Sequence, residues 1–176
     1  GNVLASGGSD GRVCLWDVRR AHGVVGRWRA HGGACHGLVY RRGVLATGGG
    51  DDGRVRVWRK GAGAKYVADP TYFLGPEEGR ACGPVRLRPG GIGGTKRITP
   101  WKVPLSFDGI DDRAGALWVG SGMEMTGYAL PGDGKSAAVL EGHLGAVNTC
   151  VVRPGDRGRI LTGAEDGAVL CWGVVD

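Results

Sequence analysis

No apolar run in the 176 residues approaches the ~18 consecutive positions that a membrane-spanning helix needs. Nor does the N-terminal stretch read as a secretion signal. The chain therefore reads as soluble and intracellular, with no membrane partner. Cysteine is sparse: Cys14, Cys35, Cys82, Cys150 and Cys171 make an odd set of five, with no C-x-x-C pair and no shared spacing. That excludes a disulfide framework. Four of the five sit in apolar runs of β type, where a free thiol behaves as a small hydrophobe, so reduced core cysteines are expected. Acidic residues are outnumbered, 17 against 23 Lys and Arg, for a net charge of +6. This surplus favours an acidic partner such as nucleic acid, anionic lipid or an acidic protein surface, and does not choose among them.

Glycine, by contrast, is abundant, 37 of 176. Most of it stands between short apolar runs, as punctuation for tight hairpins. The stretch from Glu141 to Trp172 shows the design in one piece. A Gly-His pair (Gly142, His143) opens it, followed by an apolar run (Val147 to Val152), a Pro-Gly turn and a second run from Ile160. An acidic-Gly turn (Asp166, Gly167) then leads to a third run that ends on Trp172. Such a pattern predicts an antiparallel meander. It recurs as LASGGSDGRVCLWD and LATGGGDDGRVRVW, and in all three the acidic residue lies six positions before the tryptophan. Trp16 and Trp58 are 42 positions apart, inside the ~40–45-residue period of four-stranded propeller blades.

The predicted fold class is therefore all-β: a fragment of a β-propeller, an open arc of about three to four four-stranded antiparallel blades. Residues 1–30 read as a partial blade and 31–74 as a blade. Residues 83–141 read as an atypical blade, and 142–176 as a partial last one. Within the third, the first strand is expected near Gly83 to Arg86. Residues 87–114, rich in Pro and Gly and without periodicity, are expected to be an inserted surface loop. Tyr128 stands where a Trp is expected, 44 positions before Trp172. Because a propeller closes with roughly 4–8 blades, the remainder of a larger ring is expected as a partner.

His, Thr, Asp and Trp at these positions can form a buried hydrogen-bond chain, since a hairpin carboxylate accepts from imidazole, imidazole pairs with a strand hydroxyl, and a buried indole N–H needs an acceptor. The candidates are His143, Thr162, Asp166 and Trp172 in the last blade, and His31, Thr47, Asp52 and Trp58 in the second. The first contributes Ser6, Asp10 and Trp16. A hydrolase triad is rejected, because the set repeats from blade to blade at a fixed distance from a turn. ALPGDGKS (129–136) fits a permissive phosphate-loop pattern, yet only six residues separate Lys135 from the next Gly-His, too few for the helix that such a loop must open. Asp108, Asp111 and Asp112 lack the alternating spacing of a calcium loop and read as a solvated loop end. Cys35 and His36, adjacent on a strand, point to opposite faces. No constellation asks for catalysis, a metal or a cofactor.

These repeats resemble WD40 propellers across nearly all of the chain outside 87–114. The order of the blades also resembles the echinoderm microtubule-associated protein-like (EML) family. That resemblance rests on AHGGACHGLVYRRGVLATGGGDDGRVRVW, on CGPVR (82–86), on the Trp-less LWVGSGMEMTGYAL, and on EGH followed by LTGAEDGAVLCW. Residues 87–114 and 144–147 depart from the family pattern. It implies a non-catalytic platform that binds protein partners, tubulin and microtubules among them, in the cytoplasm and on the cytoskeleton. Nucleic acid is not expected as a partner, and a generic scaffold in a multiprotein assembly is the alternative. For a tubulin contact, the candidate partner-binding loop carries Arg86, Arg88, Lys96, Arg97, Trp101 and Lys102 within 17 residues free of Asp and Glu.

Overall fold

The computed structural model describes residues 2–21, 23–49, 54–61, 65–68, 103–111, 114–130, 136–152 and 159–173. These form four antiparallel sheets in chain order, and no helix occurs among the described residues. The first sheet holds β1 (Val3–Gly7), β2 (Arg12–Asp17) and β3 (Val24–Arg29). In the second are β4 (Cys35–Arg41), β5 (Val44–Gly49), β6 (Arg54–Lys60) and β7 (Tyr66–Ala68). The third comprises β8 (Leu105–Asp111), β9 (Ala114–Ser121), β10 (Glu124–Leu130) and β11 (Ser136–Glu141). The last has β12 (Val147–Val152), β13 (Ile160–Ala164) and β14 (Val169–Trp172). Strand neighbours in space are neighbours in sequence throughout, so each sheet is a meander.

The acidic-Gly turns close two hairpins in the same way. Gly11 N donates to Gly8 O at 3.1 Å and Gly167 N to Ala164 O at 3.2 Å, with the two glycines at φ of 75° and 77°. Gly11 has a second reason to lack a side chain: a Cβ there would lie 2.3 Å from the carbonyl oxygen of His31. The close approach lets Gly11 O accept from Ala30 N and His31 N, at 2.8 and 3.1 Å, tying the first hairpin to the start of the second sheet. A two-residue turn at Arg42-Gly43, with φ of 46° and 84°, joins β4 to β5 in the left-handed conformation that hairpins favour.

Residues 105–111, expected to lie within a loop spanning 87–114, instead form β8, which pairs with β9 from Leu105↔Val119 to Asp108↔Ala116. Alternation in the sequence is obscured by Ser106 and Gly109 and by the preceding Pro104. Yet Pro104 stands just before the strand, where its missing N–H is not needed, and its carbonyl accepts from Gly120 N at 2.9 Å. Ser106 and Phe107 are buried. Asp108 and Asp111 thus belong to a strand rather than to a loop end. The stretch 83–86 expected as the opening strand lies outside the described residues, as do Asp112 and all of the basic candidates Arg86, Arg88, Lys96, Arg97, Trp101 and Lys102.

Register assigns equivalent positions, and with them the packing. Each sheet turns one face toward the next sheet and the opposite face toward the previous one. Forward faces carry Ala5, Leu15 and Val13 in the first sheet, Ala46, Val57 and Val55 in the second, Trp118, Gly127 and Met125 in the third, and Leu161, Cys171 and Val169 in the last. Backward faces carry Leu4, Ser6 and Trp16, then Leu45, Thr47 and Trp58, then Leu117, Val119 and Tyr128, then Ile160, Thr162 and Trp172. Three buried clusters sit between successive sheets, each joining a forward face to the next backward face: Val13 with Leu45 and Trp58, Val55 and Val57 with Leu117, Val119 and Tyr128, and Trp118 and Met125 with Ile160. Polar links reinforce the clusters. Cys35 N donates to Gly8 O at 3.0 Å and Val147 N to Gly122 O at 2.7 Å, while Val152 N donates to Ser106 Oγ at 3.1 Å. Toward the outer strands, Trp28 stacks on Tyr66 with centroids 5.5 Å apart and planes 6° from parallel.

The cysteines are less interior than expected. Cys14, Cys35 and Cys150 are half-buried thiols and Cys171 is an exposed one, because Cys171 lies on the uncovered forward face of the last sheet. Cys82 is outside the described residues.

Candidate functional site

The last sheet holds the fullest polar constellation among the described residues. Asp166 sits in the tight turn before β14 and uses both oxygens. Oδ1 accepts from Ala168 N at 2.9 Å, and Oδ2 accepts from Leu144 N at 2.8 Å and faces His143 Nδ1 at 3.1 Å. The two backbone donors, with His143 beside them, hold its carboxyl below the ordinary 3.8. His143 Nε2 lies 2.7 Å from Thr162 Oγ1, and Trp172 Nε1 donates to the same oxygen at 2.8 Å. The carboxylate can only accept, so Nδ1–H donates to it. Nε2 is then the acceptor for the Thr162 hydroxyl proton, while the hydroxyl oxygen takes the indole N–H.

This chain of bonds excludes the hydrolytic reading on chemical grounds. A nucleophilic hydroxyl must reach a substrate, whereas Thr162 is 1% exposed and His143 5% exposed. Every polar atom of the set is already committed within the fold.

The second sheet repeats the arrangement with His31 Nε2 at 2.8 Å and Trp58 Nε1 at 2.9 Å from Thr47 Oγ1. Asp52 lies outside the described residues. In the first sheet Trp16 Nε1 donates to Ser6 Oγ at 2.9 Å. Asp10 repeats half of the Asp166 pattern: Oδ1 accepts from Arg12 N at 3.0 Å, and Oδ2 faces Arg12 Nη1 at 3.4 Å where the last sheet has histidine. The third sheet has other residues at these positions, Val119 at the threonine position and Tyr128 at the tryptophan position, 0% and 1% exposed.

One carboxylate escaped the sequence analysis. Asp17, directly after Trp16, receives the Arg19 guanidinium in a two-pronged contact, Nε to Oδ1 at 2.9 Å and Nη2 to Oδ2 at 2.7 Å, and also accepts from Arg19 N at 3.1 Å. Arg19 therefore holds its carboxyl well below the usual range. A Trp-Asp-x-Arg run closing a strand was the available signal.

The innermost strands β4, β8 and β12 face one another across a cavity of about 200 Å³, lined by His36, Val103, Leu105, Asn148 and Cys150 among others. His36 Nε2 is buried there without a hydrogen-bond partner among the described residues. Burial pushes the Cys150 thiol up to about 12, so it stays protonated and is no nucleophile at neutral pH. Cys35 turns away from its neighbour His36, packing in the cluster between the first and second sheets and donating to Gly37 O at 3.3 Å.

A family model described as WD domain, G-beta repeat, matches residues 1–17 and 134–173, the spans that hold the Ser6–Trp16 and His143–Thr162–Trp172 bonds. These two spans match WD40 repeats. The chain is similar to human WD repeat-containing protein 90, at 29% identity over 180 residues, 97% of this chain and 9% of that protein. The chain thus spans about a tenth of that relative's length. Three solved structures share the propeller fold over 99% of the chain. They are the computationally designed Ika8 (18% identity, TM-score 0.62, 43% of its chain), the designed Ika4 (17%, 0.61, 87%) and a chain of the Mitotic Checkpoint Complex (17%, 0.65, 46%). At these identities the likeness concerns the fold of the WD40 arc alone.

Proposed function

We propose that this WD40 arc is a non-catalytic platform for protein partners. The observation that carries this reading is the closed His143–Thr162–Trp172 network: the residues best suited to chemistry are consumed in holding a blade rigid. A rigid scaffold leaves recognition to loops and to the inner strands, where the cavity lined by His36, Asn148 and Thr149 lies. The scaffold reading is tested by Thr162→Val and His36→Ala. The first is expected to lower thermal stability. The second is expected to preserve it while weakening capture of partners identified by cross-linking to the full-length protein. Equal loss of stability in both would remove the distinction between framework and surface.

The finer reading is tubulin binding, as the resemblance to EML proteins implies, in the cytoplasm and on the cytoskeleton. What favours it is the acid-free basic run from Arg86 to Lys102 with Trp101 within it, since a basic segment is drawn to an acidic surface with strong salt dependence. Deleting 88–102 spares Val103 and β8. In microtubule co-sedimentation the deletion is expected to abolish a binding component that salt weakens. Binding unchanged at low and moderate salt would overturn it.

A further inference from the structure

Charge in this chain is sorted by the end of the strands at which it falls. β2 and β6 run toward one end of the arc and finish at Asp17 and Lys60, and at the same end Arg42 follows β4, Lys65 precedes β7 and Arg159 precedes β13. The blades share this orientation. Cys35 N on Gly8 O and Val147 N on Gly122 O join them at the other end, and Arg41 Nη1 reaches Phe107 O at 3.4 Å, bringing the closing halves of β4 and β8 together. Exposed at the first end are Arg19, Arg20, Arg42, Lys60, Lys65 and Arg159. Among the side chains described there the one acid is Asp17, which is buried and taken up by Arg19, with Arg20 Nε 3.7 Å away. In sequence, the stretches that join the strands of the last two blades at this end, 111–113, 131–135 and 153–158, hold four acids and four Lys or Arg and leave the sign unchanged. The opposite end exposes Asp10, Glu124, Glu141 and Glu165, while Arg12 there faces Asp10 at 3.4 Å and Arg29 donates to His31 O and Gly32 O. Blades stack face to face, so both ends stay outside that stacking whatever blade precedes or follows.

Given the platform proposed above, on which this step rests, we infer that the basic end holds an acidic segment of a protein partner, a run of Asp and Glu lying across successive blades. Attraction between such a surface and such a segment speeds encounter and weakens with salt. Two observations favour carboxylate over phosphate. Asp17 shows the contact in miniature, because Arg19 Nε and Nη2 grip its two oxygens at 2.9 and 2.7 Å, the fork that a guanidinium offers a carboxylate. No aromatic side chain is exposed among the described residues, whereas single-stranded nucleic acid is held by stacking its bases on aromatic rings.

Fluorescence anisotropy of a labelled oligoglutamate peptide titrated with the full-length protein is expected to show binding that salt weakens. Arg20→Gln with Lys60→Gln is expected to lower the affinity about tenfold, as two exposed charge contacts are lost, with an unchanged β-sheet circular dichroism spectrum. Should that variant lose the spectrum, Lys65→Gln reads the same end. Arg12→Glu makes the same change in net charge at the opposite end and is expected to leave the affinity unchanged. Equal losses at the two ends would overturn the proposal, since net charge and not this end would then do the binding. Absence of peptide binding would overturn it too, and leaves the platform reading to its own test of partner capture in His36→Ala. Deleting 88–102 is expected to spare the peptide, because β8, which follows that run, begins at the opposite end. Loss in that deletion would move the contact to the run and overturn the assignment. Duplex DNA or phosphatidylserine vesicles bound more tightly than the peptide, and lost in the same double variant, would overturn it in favour of phosphate.

Discussion

Thr162 links two buried rings of its blade, because one hydroxyl serves both His143 Nε2 and Trp172 Nε1. Thr162→Val keeps the shape and removes the oxygen, leaving two buried groups unpaired. A loss of about 1–3 kcal/mol is expected, read from the shift of a denaturant unfolding midpoint. Val119 in the third blade is no counterexample, since Tyr128 has replaced the indole there, and replacing both partners by groups of fitting shape avoids the penalty. The carboxylates add a pH dependence. Asp166 and Asp17 both titrate below the ordinary 3.8 in the folded chain. Their stabilisation is therefore complete above 3.8 and is lost as pH falls through the lowered values, where the unfolded chain binds more protons than the folded one. Acid titration of unfolding is expected to steepen below pH 3.8 and to flatten in Asp166→Asn and Asp17→Asn. A slope unchanged in both variants would show that neither carboxylate carries it.

Among the strands, the third blade solves the packing problem with different parts. Its forward face has Trp118 where the second blade has Ala46, and Gly127 where that blade has Val57. The exchange conserves volume across the pair: a Cβ on Gly127 would lie 2.9 Å from the Trp118 ring. Gly127→Val is expected to destabilise by about 1–3 kcal/mol, the usual cost of overfilling a core. The double change Gly127→Val with Trp118→Ala, which restores the second blade's pattern, is expected to recover part of that loss. Calorimetry of the two variants checks it, and an additive loss would mean that the positions do not share space. This blade is also where sequence reading was weakest. The Gly-His, acidic-Gly and Trp signals that mark the other blades are properties of turns and network residues. β8 has none of them, and its role follows from pairing with β9.

Across the whole arc, stability should be graded by coverage. β5, β6 and β9 carry side chains buried against neighbours on both sides, such as Leu45 and Ala46, Val57 and Trp58, or Leu117 and Trp118. β1 and β14 each carry one uncovered face. Amide hydrogen exchange of the 176-residue chain is expected to be slowest in the former and fastest in the latter, since local opening follows the apolar contacts that must be broken. Uniform protection would contradict the graded packing.

The sequence by itself determined the repeat, the meander of the blades other than the third, the turn glycines and the His143–Thr162–Trp172 set, because these rest on local spacing and on the left-handed φ that glycine tolerates. It also placed Tyr128 in phase without its indole. Only the tertiary structure decided which strand completes the third blade, and that His36 lines a cavity between three inner strands. Each of these depends on contacts between residues far apart in the chain, and side-chain period along one strand carries no record of what lies across from it.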